Sequence, residues 1–216
     1  MIITGAIFDM DGTLLDSMDY WSRAADEFLL RQGITPLDNT SDRFLSLGMK
    51  NWYEFAKEAY SLDITYDVAY QGIYDVMNEK YNTCVKVKDG VIEMLKALSK
   101  KGVKMCLATA TDRSSVEGIL KRLGIDKYFS KIFTSSEVGL GKRFPLIYER
   151  ALEYLGTPRE TTYVFEDALY AMKTAFENGF RVVGVYDKNV KATREEIESL
   201  CHIYLDENSK YKLELE

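Results

Sequence analysis

Six short apolar runs, rich in Val, Ile, Phe and Tyr, alternate along this chain with longer amphipathic segments, and that alternation restricts the fold more than any other feature. The runs are Ile3–Asp9, Val103–Thr109, Lys131–Thr134, Thr162–Phe165, Arg181–Val185 and His202–Leu205. Their interiors suit strands buried on both faces, the condition of a parallel sheet covered by helices. The segments between them, Val91–Lys101, Ser114–Leu123, Phe144–Leu155, Leu169–Asn178 and Thr193–Leu200, repeat apolar residues at helical spacing. Gly124 and Gly156 follow the last turns of two of these, where a left-handed cap favours glycine. Repeated strand–helix alternation predicts an α/β fold built on a doubly wound, Rossmann-like parallel sheet.

Between about Asp16 and Lys86 the rhythm breaks. No buried strand is legible there, while Ala24, Ala25, Phe28 and Leu29, and again Trp52, Phe55, Ala56 and Ala59, recur at helical spacing. The reading is a small helical domain, residues 16–86, inserted after the first strand of an α/β domain made of residues 1–15 and 87–216. Residues Ser209–Glu216 read as a loose polar end.

Charge and composition narrow the partners. Among 216 residues, 34 are acidic and 28 basic, for a net charge of −6. A nucleic-acid binder needs a basic surface, so no such partner is expected. No apolar stretch approaches the roughly 18 residues of a membrane span, so no membrane partner is expected either. The opening, MIITGAIFDMDGT, lacks the basic start of a secretory leader, and the three scattered cysteines make no disulfide framework. A cytoplasmic monomer is the expectation. The single histidine, His202, lies in an apolar run and reads as structural; a serine triad or a histidine zinc site would depend on it alone.

The chemistry concentrates at the ends of the apolar runs. Ile7-Phe8 leads directly into Asp9-Met10-Asp11-Gly12-Thr13, two carboxylates two residues apart where a parallel sheet binds ligands. One carboxylate can act as nucleophile toward phosphorus, and a second can move the protons. Such chemistry also needs a cradle for phosphoryl oxygens, a fixed cation and further acids for a hard metal. Thr109-Ala110-Thr111, Lys142 and Glu166-Asp167 follow in that order, each near the end of a run.

On these residues the chain resembles the haloacid dehalogenase superfamily of phosphohydrolases, in the branch with beta-phosphoglucomutase and phosphoglycolate phosphatase. Asp9-Met-Asp11-Gly-Thr matches its first motif, Thr109 its second, Lys142 its third and Glu166-Asp167 its fourth. The resemblance implies a Rossmann-like core with an inserted helical cap, and a phosphatase acting on small phosphorylated metabolites. It implies Asp9 as nucleophile and Asp11 as general acid and base. Thr109, the Ala110 N–H and Lys142 would bind phosphate. Mg2+ would be held by Asp9, the Asp11 main-chain carbonyl and Asp167, with Glu166 a further member of the metal shell. Substrate selection is expected in the cap, with Tyr20, Trp21 and Lys50 among its lining residues. Two departures from the family pattern stand out: Ala168 and Ala171 where a serine and a glycine are usual, and Leu146 where an acid is usual. The alternatives are a phosphosugar mutase and an inactive metal- or partner-binding module on the same fold. The family's mutase carries a cap histidine that this cap lacks, and the phosphatase is preferred.

Overall fold

Ala6, Ile7 and Phe8 expose nothing to solvent because their strand, β1 (Gly5–Phe8), lies inside a six-stranded sheet. The other strands are β2 (Lys104–Thr109), β3 (Ile132–Thr134), β4 (Thr162–Glu166), β5 (Arg181–Val185) and β6 (Ile203–Leu205). They order as β3-β2-β1-β4-β5-β6, every neighbouring pair parallel. The chain winds to one side of β1 through β2 and β3, then to the other through β4, β5 and β6. The reversal puts the switch point, where such sheets bind ligands, beyond the carboxyl ends of β1 and β4. The computed structural model describes residues 2–38 and 40–213. The chain divides into two compact units, Met1–Asp16 with Lys86–Glu216, and Ser17–Val85.

The Ser17–Val85 unit is helical: α1 (Met18–Arg31), α2 (Thr40–Tyr60) and α3 (Tyr66–Thr83). Ala24, Ala25, Phe28 and Leu29 of α1 are buried, as their spacing predicts. Close approach of α1 and α3 depends on Gly72, where a Cβ would overlap the Phe28 ring. Helix α2 is interrupted at Gly48, whose φ of 72° and ψ of 166° are not helical. Beyond the break the buried face is Trp52, Tyr53 and Ala56; the expected Phe55 is only half-buried and Ala59 is exposed. Trp52 packs edge-on against Phe28 and Phe44, and that contact sets the face.

In the other unit the sheet is flanked by α4 (Val91–Lys100), α5 (Arg113–Leu123), α6 (Ser135–Val138), α7 (Leu146–Leu155), α8 (Leu169–Glu177) and α9 (Arg194–Glu198). One core layer packs Ile147, Tyr148 and Ala151 of α7 and Met172 and Ala175 of α8 onto Ile7, Cys106, Val164 and Val182 of the sheet. Each large side chain buried in such a layer contributes roughly 1.5–3 kcal/mol.

The expected loose end is corrected by Tyr211, which is buried at 7 % exposure. Its ring leaves solvent and its hydroxyl donates to the Thr13 carbonyl, so an aromatic residue anchors a polar segment. Residues 214–216 of that expectation lie outside the described residues.

Candidate active site

Asp9 continues the β1 ladder one step past the strand, its N–H donating to the Phe165 carbonyl at 2.9 Å. The chain then turns tightly: Leu14 and Leu15 both donate to the Met10 carbonyl at 2.9 Å, and Gly12 donates to the Leu15 carbonyl at 3.0 Å. Gly12 takes φ 79°, and a Cβ there would overlap the Asp167 carboxylate. Both its backbone conformation and its neighbour therefore require glycine.

The register of β1 with β4 brings the acids together. Asp9 follows Phe8, which pairs with Phe165, so Glu166 and Asp167 arrive beside it. Carboxylate oxygens of Asp9, Glu166 and Asp167 lie within 4.8 Å of one another, and all three residues are buried. Lys142, 4 % exposed, donates to Asp9 and, at 2.6 Å, to Glu166 Oε1. Tyr148 donates its hydroxyl to the same Oε1 at 2.8 Å. Thr13 Oγ1 donates to Asp167 Oδ1 at 2.8 Å, so Asp167 is held from the first loop and does not cap α8. The N-cap position of α8 is Ala168, which supplies no capping side chain.

Asp11 stands outside the three-acid cluster. Thr111 Oγ1 donates to its Oδ2 at 2.7 Å, and the Thr111 N–H donates to Thr109 Oγ1 at 3.1 Å. Thr109 is buried at the end of β2 and Ala110 beside it is exposed. Tyr20 and Trp21 are half-buried and Lys50 exposed, all in the helical unit. The Trp21 indole N–H donates to the Tyr81 hydroxyl at 2.9 Å and its ring stacks on Phe44, so its visible contacts are with that unit's own core.

Burial pushes the Asp9 carboxyl up to about 6, against the opposing pull of Lys142 and with the Glu166 charge adding to the rise. Asp167 is raised well above the carboxylate range by burial, then by the Asp9 and Glu166 charges. Burial opposes the Lys142 charge, yet Asp9 and Glu166 hold its pKa above the ordinary lysine value. Burial and the Glu166 charge raise Tyr148 well above its usual range, so it stays a hydroxyl donor. Burial also raises the Cys106 thiol, away from the reactive thiolate form.

These residues fit a hard divalent cation. The donor set is all oxygen, three buried acids crowd together, and Glu166 Oε2 is buried without a hydrogen-bond partner. A cation there would relieve the like-charge repulsion that raises Asp9 and Asp167.

Sequence reasoning missed Tyr148, Lys88 and Tyr211. Tyr148 sits on the apolar stripe of α7 and reads as core, which it also is. Lys88 donates to the Gly12 carbonyl and, at 2.7 Å, to the Tyr186 carbonyl, and pairs with Asp187 at 2.9 Å. A lysine in Lys86-Val-Lys88-Asp89 carries no local sign of that task.

Fold and site together define an α/β protein with an acidic, lysine-tied centre at the switch point of its sheet. Residues 6–185 match the model of the haloacid dehalogenase-like hydrolases, and the chain belongs to that family. It is 27% identical over 180 residues to the phosphorylated carbohydrates phosphatase of Thermotoga maritima, covering 83% of each chain. It is 27% identical over 194 residues to the validoxylamine A 7'-phosphate phosphatase of Streptomyces hygroscopicus subsp. limoneus, covering 83% of this chain and 84% of that one. Its fold is similar to that of CbbY from Rhodobacter sphaeroides, solved in complex with phosphate. There the TM-score is 0.83 at 21% identity, over 100% of this chain and 97% of the other.

Proposed function

We propose that this hydrolase is a Mg2+-dependent phosphatase of small phosphomonoesters, phosphorylated sugars among them, working through a phosphoryl group carried on Asp9. The observation that carries the reading is the buried Asp9 carboxylate at the switch point, tied to Lys142 and flanked by Glu166 and Asp167. The two phosphatase relatives, one of phosphorylated carbohydrates, support the substrate class.

An Asp9 oxygen attacks phosphorus; the Asp9 O–P bond forms as the ester P–O bond breaks. Asp11 gives its proton to the leaving alkoxide. Water then attacks the phosphorylated Asp9, Asp11 takes a proton from it, and inorganic phosphate leaves with Asp9 restored. Thr109 and the Ala110 N–H donate to the phosphoryl oxygens. Lys142 offsets charge as two anions approach within roughly 3–3.5 Å. Asp9, Asp167, Glu166 and the Asp11 carbonyl would hold Mg2+, which when bound lowers the repulsion between carboxylate and phosphate.

The test is phosphate release from p-nitrophenyl phosphate and a panel of sugar phosphates with Mg2+, comparing the wild type with Asp9→Asn. Loss of turnover in Asp9→Asn, with the fold intact by circular dichroism, supports the reading. Equal turnover in both removes Asp9 as nucleophile. Isomerised phosphosugar in place of free phosphate would make the enzyme a mutase.

A further inference from the structure

We infer that Tyr211, in the segment after β6, is a positioning residue for the metal site: its buried hydroxyl holds the Thr13 carbonyl and so fixes the side chain that holds Asp167. The inference rests on the functional reading above and adds a residue far from the motifs.

The connection is short. Tyr211 donates to the Thr13 main-chain oxygen, and Thr13 Oγ1 donates to Asp167 Oδ1 at 2.8 Å. Thr13 is fully buried and Tyr211 nearly so, so removing the hydroxyl takes a buried partner from the Thr13 carbonyl. Thr13 thus carries two restraints, one on its backbone and one on its side chain. Turning its peptide would swing the hydroxyl away from Asp167.

The neighbouring carbonyl is held as well. Lys88 Nζ donates to the Gly12 oxygen and is anchored by Asp187 at 2.9 Å. Two successive carbonyls of the catalytic loop are therefore gripped by side chains from outside it, Lys88 ahead of α4 and Tyr211 beyond β6.

The path of the 206–213 segment is specified by its contacts. Lys210 and Tyr211 take φ of 44° and 54°, a left-handed conformation that side chains disfavour. The Lys210 carbonyl seats directly on Gly90, where a Cβ would overlap it and where φ is 89°. A strained pair held against a glycine is the mark of a segment whose place is determined by tertiary contact.

The experiment measures Mg2+ affinity by calorimetry, and the Mg2+ concentration for half-maximal phosphate release, in wild type, Tyr211→Phe and Gly90→Ala. Tyr211→Phe keeps the ring and removes only the hydroxyl. We expect its Mg2+ dissociation constant to rise roughly three- to tenfold, less than the 10–100-fold of a residue bonded directly to a ligand. At saturating Mg2+, kcat should fall much less than the affinity, and KM should hold. Gly90→Ala, which unseats the segment from a residue outside the loop, should shift Mg2+ affinity the same way. A folded Tyr211→Phe protein with wild-type Mg2+ affinity overturns the inference. So does a Tyr211→Phe protein that fails to fold, or an affinity loss seen in Gly90→Ala alone, since either makes the segment structural only. A wild type that binds no Mg2+ instead overturns the functional reading, and the inference with it.

Discussion

Thr111 donates its hydroxyl to Asp11 Oδ2 at 2.7 Å, across 100 residues of sequence. The same strand end offers the Thr109 hydroxyl, which accepts from the Thr111 N–H. One turn after β2 therefore presents the proposed phosphate cradle and orients the proposed acid and base. Thr111→Val should lower kcat about 10–100-fold with little change in KM, a part of the 10²–10⁴ that a positioned acid–base group supplies. Thr111→Ser should recover most of it. Steady-state kinetics on p-nitrophenyl phosphate decide the matter, and a valine variant as fast as wild type removes Thr111 from the mechanism.

Lys142 is the cation tied directly to both Asp9 and Glu166, and it is buried with them. Lys142→Met leaves the two acids facing each other. Breaking a buried pair from one side typically destabilises by about 3–5 kcal/mol, and turnover should vanish as well. Urea denaturation reads the first effect and phosphate release the second. Unchanged stability would mean that water already screens the cluster.

Mg2+ should stabilise the fold, since Asp9, Glu166 and Asp167 meet only when β1 and β4 pair. At 100 times its dissociation constant a ligand adds about 2.7 kcal/mol. For a chain this size that is roughly 5–10 °C in Tm. EDTA should abolish turnover, and Asp167→Asn should lose most of the thermal shift. A shift as large in Asp167→Asn as in wild type places the ion elsewhere.

His202 should make stability depend on pH. Its Nδ1 accepts from the Val182 N–H at 3.1 Å, which needs the neutral ring, and burial with the nearby Arg181 charge lowers its pKa below 6.5. The unfolded chain takes up the proton first as pH falls. The contribution is therefore complete above about pH 6.5 and is lost progressively below it, down to the folded pKa. His202→Asn keeps an acceptor but does not titrate. Melting curves from pH 5 to 8 should show a shallower acid slope in the variant; parallel slopes would sink the assignment.

The six strands and the order of the candidate site residues along them were legible in the chain. Apolar runs such as Ala6-Ile7-Phe8 must be covered on both faces, and a parallel sheet puts its loops at the carboxyl ends. Asp9, Thr109 and Glu166-Asp167 could therefore be assigned to one rim from pattern alone. Helical spacing likewise revealed α1, but the break at Gly48 left the buried face of α2 misread at Ala59.

Periodicity and motif order thus determined the layers, the inserted helices and the residues at the rim, because each is written within a few consecutive positions. Tertiary structure alone decided that Tyr148 joins Lys142 on Glu166, that Thr111 holds Asp11, and that Lys88 and Tyr211 grip the Gly12 and Thr13 carbonyls just after the two acids. Those partners come from segments far apart in the chain and are of types that serve equally well in a core or on a surface. A hydrogen bond is set by where two backbones meet, and the local sequence of either partner does not encode that meeting.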